Sequence, residues 1–502
     1  MAENRTKNVK KNIIWGNIGN VVLMALSFIS RTIFVYSLGA GLLGVNGLFT
    51  NILGVLSFSE LGIGTAMNYS LYKPIANNEK ETVKSLMRFY KKAYRIVAFI
   101  VALAGVLLLP FLDYLVNTDI PIKEIKIYYL VYLFNSVSSY FVTYKTAYIY
   151  AIQKNYIVTN INTIGQSVIY ISQSIALLFH CNFLVYLLIQ ALVCLIQKII
   201  TVVYINFKFP LLTEKAALPV PEKTKNELWK NVKALIVHKI GDVSVHQTDN
   251  IIISAFISTT IAGLISNYTT LVNVISGFTN IIFNSFTASF GNLVVKETKE
   301  KQREIFDIYN FIGFWIYGFS TVAFITLTQS FITLWLGNGM TVDNLTMVLY
   351  YIAFYLSGMS FTVYNFKIAA GIFNEDKWLA FIQAVVNLVV SIAAVKIIGL
   401  PGVYIGTITQ RIIVNIVRPV IVYKKALYVS PVKYFLEFMH RTILIVIIVV
   451  FMDFLSEYIK FSSRLVNFIV LAILTLVIPN LIILLVYGRT PMFKVMLDKI
   501  RR

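Results

Sequence analysis

Long apolar runs follow one another along the chain, and short polar or charged breaks separate them. A helix needs about 20 apolar residues to cross the hydrocarbon core of a bilayer, and the runs reach that length. The predicted spans cover residues 13–37, 42–72, 89–115, 125–152, 157–180, 182–206, 233–257, 260–292, 306–336, 345–372, 378–398, 401–423, 439–459 and 464–487. The predicted fold class is therefore an all-α integral membrane protein with about 14 transmembrane helices.

The composition excludes an ordinary water-soluble enzyme. Charged residues make up 13% of the chain and hydrophobic residues 58%, whereas about a quarter of a soluble domain is charged. We find no Walker-type phosphate loop and no zinc motif, so we expect no enzyme activity, no cofactor and no metal. Cys181 and Cys194 are expected to be packing residues rather than a disulfide.

The basic residues predict the topology. The 44 Lys and Arg outnumber the 23 Asp and Glu, giving a net charge of +21, and they gather in alternate connections, which is typical of cytoplasmic loops. The basic connections lie before residue 13, after the second span, at 207–232, after the eighth and twelfth spans, and at the C-terminus. Both termini are therefore expected to be cytoplasmic, and nucleic acid is not expected as a partner.

The two halves of the chain resemble each other. Gly44–Tyr90 aligns without gaps on Gly263–Tyr309, and a nearby offset pairs Lys145 with Lys367. The predicted organisation is a six-helix bundle at 1–206, a cytoplasmic linker at 207–232, a second six-helix bundle at 233–424, and two accessory helices with a basic tail at 425–502. Because each half has an even number of spans, the repeats are expected to be parallel, with the functional site between them.

Polar side chains form narrow stripes on three of the predicted helices. At 100° per residue, Asn46, Glu60 and Asn68 share one face of the second span. Asn20 and Arg31 share a face of the first span, and Asn273 and Asn284 lie on the stripe of the eighth. Small polar residues also serve helix packing, but stripes with ionisable groups and many amides favour a wet internal cavity.

Four cations inside the spans predict the charge of the ligand. Arg31, Lys145, Lys367 and Arg411 would line the cavity with positive charge, and Arg and Lys are the usual partners of phosphate. The ligand is therefore expected to be an anion. The alternative is that these residues form structural ion pairs or extend to the membrane surface from the ends of their helices.

The seventh span has the densest set of ionisable residues. His238, Asp242, His246 and Asp249 fall on one face and are a candidate site for coupling to a H⁺ or Na⁺ gradient. As a metal site the set is weak, because residues of one straight helix rarely converge on an ion. An ion-pair lock against Arg411 or Lys367 is the alternative.

Six segments of the sequence have a pattern typical of one transporter family: Tyr36–Asn51, Ser59–Ala66, Tyr69–Pro74, Gln153–Tyr156, His238–Asp242 and Thr248–Ile253. In these segments the chain resembles the multidrug/oligosaccharidyl-lipid/polysaccharide (MOP) exporter superfamily, most closely its Wzx-type polysaccharide flippases. The likeness runs from about Asn12 to Tyr423, and the last two spans fit only in number.

This resemblance implies a flippase that moves undecaprenyl-diphosphate-linked oligosaccharide across the bacterial cytoplasmic membrane by alternating access. Surface polysaccharide would be the product, and membrane lipids and other polysaccharide-assembly membrane proteins would be further partners. Three other functions stay open: a cation-coupled small-molecule or multidrug antiporter of the same superfamily, a membrane-bound polysaccharide polymerase, and a scaffold that recruits membrane enzymes. An antiporter for cations would need a more acidic lining than this sequence offers.

Overall fold

The computed structural model describes residues 2–57, 63–214, 219–220, 222, 225, 247–372, 375–459, 461–490 and 492–493; for some helix residues only the backbone is described. Fourteen helices of more than one turn form this part of the chain, which confirms the predicted all-α class. They are α1 (Ala2–Leu56), α2 (Ile63–Ala76), α3 (Lys80–Leu108), α4 (Ile122–Ala151), α5 (Asn155–Leu178), α6 (Phe183–Lys208), α7 (residues 247–256), α8 (Thr259–Lys296), α9 (Lys299–Leu336), α10 (Asn344–Ala369), α11 (Lys377–Ile398), α12 (Leu400–Val422), α13 (Val432–Tyr458) and α14 (Arg464–Tyr487).

Ten helical segments among the described residues are long and apolar enough to cross a membrane. Several begin with a side-chain cap: Asn182, Thr298 and Asp343 each accept a hydrogen bond from a backbone N–H in the first turn of α6, α9 and α10. Such caps satisfy N–H groups that have no partner inside the helix. The sequence therefore marks the starts of these helices as well as their apolar centres.

The predicted first and second spans both lie partly in α1, because the helix resumes directly after a single non-helical residue. Gly39 has φ 78° and ψ 178°, a conformation that residues with a Cβ rarely adopt. A glycine at this position lets two helical arms join without a loop. The second predicted span continues in α2.

The chain forms two compact units, Met1–Gly263 and Leu264–Arg502. In the first unit α1 packs on α5, while α4 contacts α2, α3 and α6. The turn between α7 and α8 is tied to the connection after α3, since Asn117 bonds to the backbone of Ser254, Ile257 and Thr259. The bundle limits predicted at 206 and 233 stay a prediction.

In the second unit α9 is the helix on which the last two helices pack. It contacts α10, α13 and α14, and α12 packs on both α10 and α11. Aromatic and aliphatic side chains from α9, α10, α13 and α14 form one core, which includes Phe311, Phe314, Tyr355 and Ile448. The predicted accessory helices are therefore part of the core of this unit.

Candidate functional site

Lys145 lies in a cationic cavity of the first unit. The cavity has a volume of about 450 Å³. Its lining comes from the start of α3, the last turns of α4, the end of α6 and the segment after it: Lys84, Met87, Arg88, Lys91, Tyr144, Lys145, Asn206, Leu211, Leu212, Thr213 and Glu214. Sequence reasoning selected Lys145 but not the other cations of this lining.

The Lys145 side chain is buried, with 6% of the residue exposed. Its ammonium group donates a hydrogen bond to Oδ1 of Asn206 and lies 5.9 Å from the centre of the Tyr144 ring. Among the described residues no carboxylate forms an ion pair with it. The described partners of the Lys145 ammonium group are therefore neutral.

Lys367, which the repeat pairs with Lys145, has a different environment in the second unit. Its ammonium group lies 2.6 Å from both carboxylate oxygens of Asp376. Arg418 Nε approaches the same carboxylate at 3.4 Å, and the guanidinium lies 5.0 Å from the centre of the Tyr364 ring. For Lys367 the structure therefore shows the ion pair that was the alternative to a ligand-binding cation.

The other two predicted cations lie on α1 and α12. Arg31 and Arg411 are both half-buried. The backbone carbonyl of Arg411 accepts a hydrogen bond of 3.0 Å from the Asn415 amide. Their role towards a substrate stays a prediction.

Some side chains of the predicted polar stripes are exposed, and others have hydrogen-bond partners inside the first unit. Asn20 on α1 and Asn273 on α8 are exposed, whereas Asn46 accepts a hydrogen bond from the Tyr132 hydroxyl. Asn68 on α2 is half-buried, and its Oδ1 is buried without a partner among the described residues. Glu60 lies outside the described residues, and the Asn284 side chain is not described.

Of the seventh-span set, only Asp249 lies within the described residues. It is half-buried on α7. His238, Asp242 and His246 lie outside the described part of the chain, so the ion-coupling site stays a prediction.

The structure adds a half-buried cation that sequence reasoning missed in the first unit. The Lys198 ammonium on α6 donates to the backbone and side-chain oxygens of Asn135, both at 2.8 Å, and to the Ser138 hydroxyl at 2.7 Å. Its signal in the sequence is a lone charge inside the apolar run 182–206. Like Lys145, Lys198 is held by neutral oxygens.

In the second unit, Arg441 on α13 is a buried cation that the sequence analysis did not select. Only 2% of it is exposed. Its guanidinium pairs with Glu437 at 2.8 Å and lies 5.7 Å from the centres of the Phe311 and Phe314 rings. The contact joins α13 to α9, so its role is structural.

No protein-family model matches the sequence, and a search of curated proteins gives no match. Solved structures do match in fold. The lipid II flippase MurJ in an inward closed conformation has a TM-score of 0.64 at 14% identity, covering 95% of this chain and 100% of its own. The chain therefore shares the fold of this flippase.

Two MATE transporters, one of them named as a multidrug resistance transporter, share this fold over a smaller part of the chain. An inward-facing MATE transporter has a TM-score of 0.55 at 15% identity, covering 79% of this chain and 92% of its own. A mutant of the Vibrio cholerae transporter VcmN has a TM-score of 0.53 at 14% identity, covering 84% of this chain and 99% of its own. The same fold thus occurs in a protein named as a lipid flippase and in proteins named as MATE transporters.

Proposed function

We propose that this chain is a flippase for a lipid-linked oligosaccharide, and that it carries undecaprenyl-diphosphate-linked repeat units of a surface polysaccharide across the bacterial cytoplasmic membrane. Its fold is shared by proteins named as a flippase and as transporters. The match to the lipid II flippase covers more of the chain than the matches to the drug transporters do. These comparisons support a transporter. The substrate is inferred from the charged and polar residues inside the helical units.

The observation that carries the proposal is the cationic interior of the first unit. Lys145 and Lys198 are both held by neutral oxygens, and Arg31 adds a third charge on α1. A charge inside apolar helices costs at least about 2.5 to 3.5 kcal/mol, so its retention indicates a use. Positive charges beside neutral acceptors can gain a further anionic partner, and a diphosphate offers several oxygens to them. A cationic drug would be repelled.

In the proposed transport cycle the cations hold the diphosphate, and the sugars occupy a polar chamber while the prenyl chain stays in lipid. Alternating access then exposes the ligand to one leaflet and afterwards to the other. We further propose that both termini are cytoplasmic and that the predicted seventh-span cluster couples transport to an ion gradient.

The test is the level of lipid-linked repeat units in a deletion strain. We expect loss of surface polymer and accumulation of the undecaprenyl-linked precursor in the cytoplasmic leaflet. The parent chain should restore export, whereas Arg31→Ala should fail at equal membrane abundance. Lys92→Ala, a change at an exposed basic residue of α3, is the matched control and should restore export. Unchanged polymer and precursor in a strain without a second flippase would favour the antiporter instead.

A further inference from the structure

The cavity around Lys145 lies near one end of its helices. Lys145 is six residues before the end of α4, which places it about 9 Å from that end at 1.5 Å per residue. Lys84, Arg88 and Lys91 belong to the first four turns of α3. The cavity therefore lies near the level of lipid headgroups, on the side that the distribution of Lys and Arg predicts to be cytoplasmic.

Four of the residues that line this cavity are cations, and one is a carboxylate. That carboxylate, Glu214, lies 2.6 Å from the Lys84 ammonium, which also bonds to Glu81 at 2.8 Å. Arg88 and Lys91 are exposed, so they can move to meet a ligand. The lining thus has an excess of positive charge that the described carboxylates do not neutralise.

Lys145 supplies the buried part of the cavity. An ammonium group has three N–H donors, and the structure gives one side-chain acceptor for it, Asn206. A buried donor without an acceptor is costly, so an oxygen-rich anion in the cavity would satisfy donors for which the described residues offer no acceptor.

At the equivalent lysine of the second unit, Lys367, a carboxylate already accepts from the ammonium group. Asp376 binds Lys367 with both oxygens and also approaches Arg418. The repeat that pairs Lys145 with Lys367 places Lys154, a cation, where the second half has Asp376. One lysine of the pair is thus neutralised within the protein, and the other faces a cationic cavity.

We propose that the Lys84, Arg88, Lys91 and Lys145 cavity binds a phosphate-bearing headgroup. Lys145 would hold the buried phosphate oxygen, and Arg88 and Lys91 would close on the outer oxygens. The ligand is either the diphosphate of the transported lipid, an assignment that rests on the proposed function, or the headgroup of an anionic membrane lipid.

The test measures binding of inorganic pyrophosphate to the purified full chain in a neutral detergent. Lys145→Met and the double change Arg88→Gln/Lys91→Gln should each weaken binding about tenfold or more, since a hydrogen bond to a charged group contributes that much. Lys367→Met and Lys92→Gln are the matched controls and should bind within about twofold of the parent. Arg88 and Lys91 are exposed, so their double change tests the site even if Lys145→Met lowers stability.

The two sources of phosphate are separated by competition. If short-chain phosphatidylglycerol displaces pyrophosphate and short-chain phosphatidylcholine does not, the ligand is an anionic lipid headgroup. If neither displaces it, the ligand is the diphosphate. Equal affinity of the parent and both cavity variants, or no binding to the parent at millimolar pyrophosphate, would overturn the proposal. Binding is measured without transport, so a chain that binds here but moves no oligosaccharide would refute only the proposed function.

Discussion

Replacing Asp376 by Asn should destabilise the second unit more than removing either of its cationic partners. Asp376 accepts from Lys367 at 2.6 Å and from Arg418 at 3.4 Å. The side chains of Lys367 and Asp376 are 4% and 2% exposed, and that of Arg418 is 12% exposed. Asparagine keeps the size of the side chain and removes the one negative charge that these two cations share.

The magnitude follows from what each change leaves behind. Breaking a buried ion pair by removing one partner costs about 3–5 kcal/mol, because the other charge stays buried. Asp376→Asn leaves two cations, so its cost should lie at the upper end of that range. Lys367→Met leaves Asp376 paired with Arg418 and should cost less. The double variant should cost less than the sum of the single changes, with a coupling of at least about 1 kcal/mol.

The assay is reversible denaturant unfolding of the purified parent, both single variants and the double variant in one detergent, with the free energy of unfolding compared at a fixed slope. Lys396→Met, a change at an exposed lysine on α11, controls for the loss of a surface charge. Stability of Asp376→Asn equal to the parent, or additive effects in the double variant, would refute the argument that this carboxylate neutralises both cations.

Two further changes test the packing of each unit by the same unfolding measurement. A Cβ at Gly44 would lie 1.7 Å from the backbone oxygen of Thr259, so Gly44→Ala should cost at least about 1–3 kcal/mol; Gly47→Ala, where a Cβ meets nothing within 4 Å, should be nearly neutral, and equal effects would contradict the close approach. Arg441→Ala should cost about 1–3 kcal/mol, because it removes a buried side chain that packs on two aromatic rings, whereas Lys433→Ala, a change at an exposed partner of the same carboxylate at 3.6 Å, should cost under about 1 kcal/mol; similar losses would show that burial of Arg441 contributes nothing.

The fold could be predicted because apolar length is a strong signal in a membrane protein. Every backbone polar group must be satisfied inside the bilayer, so a long apolar run has to be a helix. The break predicted between the first two spans, at residues 38–41, contains the residue that interrupts the helix. The single residue Gly39 takes the non-helical conformation there, and a sequence does not reveal which of several glycines will do so.

The partners of the predicted cations depend on residues outside the apolar runs. Asp376 lies between two predicted spans, and Asn206 and Glu214 lie at or beyond the end of the sixth. If only charges inside the predicted spans are considered, Lys145 and Lys367 have the same expected role. The carboxylate that neutralises Lys367, Asp376, is then missed. Considering only these charges also selects single positions, whereas the Lys145 cavity gains its charge from exposed residues of α3 that read as ordinary loop cations.

Between the two halves of the internal repeat, a close backbone contact is kept at paired positions, whereas the environment of a paired charge is not. Gly44 and Gly263 are paired by the sequence alignment, and the structure brings them together: a Cβ on Gly44 would meet the oxygen of Thr259, and one on Gly263 would meet that of Ala40. Thr259 and Ala40 are paired at the same offset. Close helix packing has thus been kept at equivalent positions, because any side chain there would separate the helices.

The charge at the paired lysines has no such steric constraint, since a single carboxylate in a connection is enough to neutralise Lys367. The two halves therefore share a backbone contact and differ in the environment of the paired lysine. In the second unit Lys367 forms a buried ion pair, and in the first unit Lys145 lines a cavity with an excess of cations.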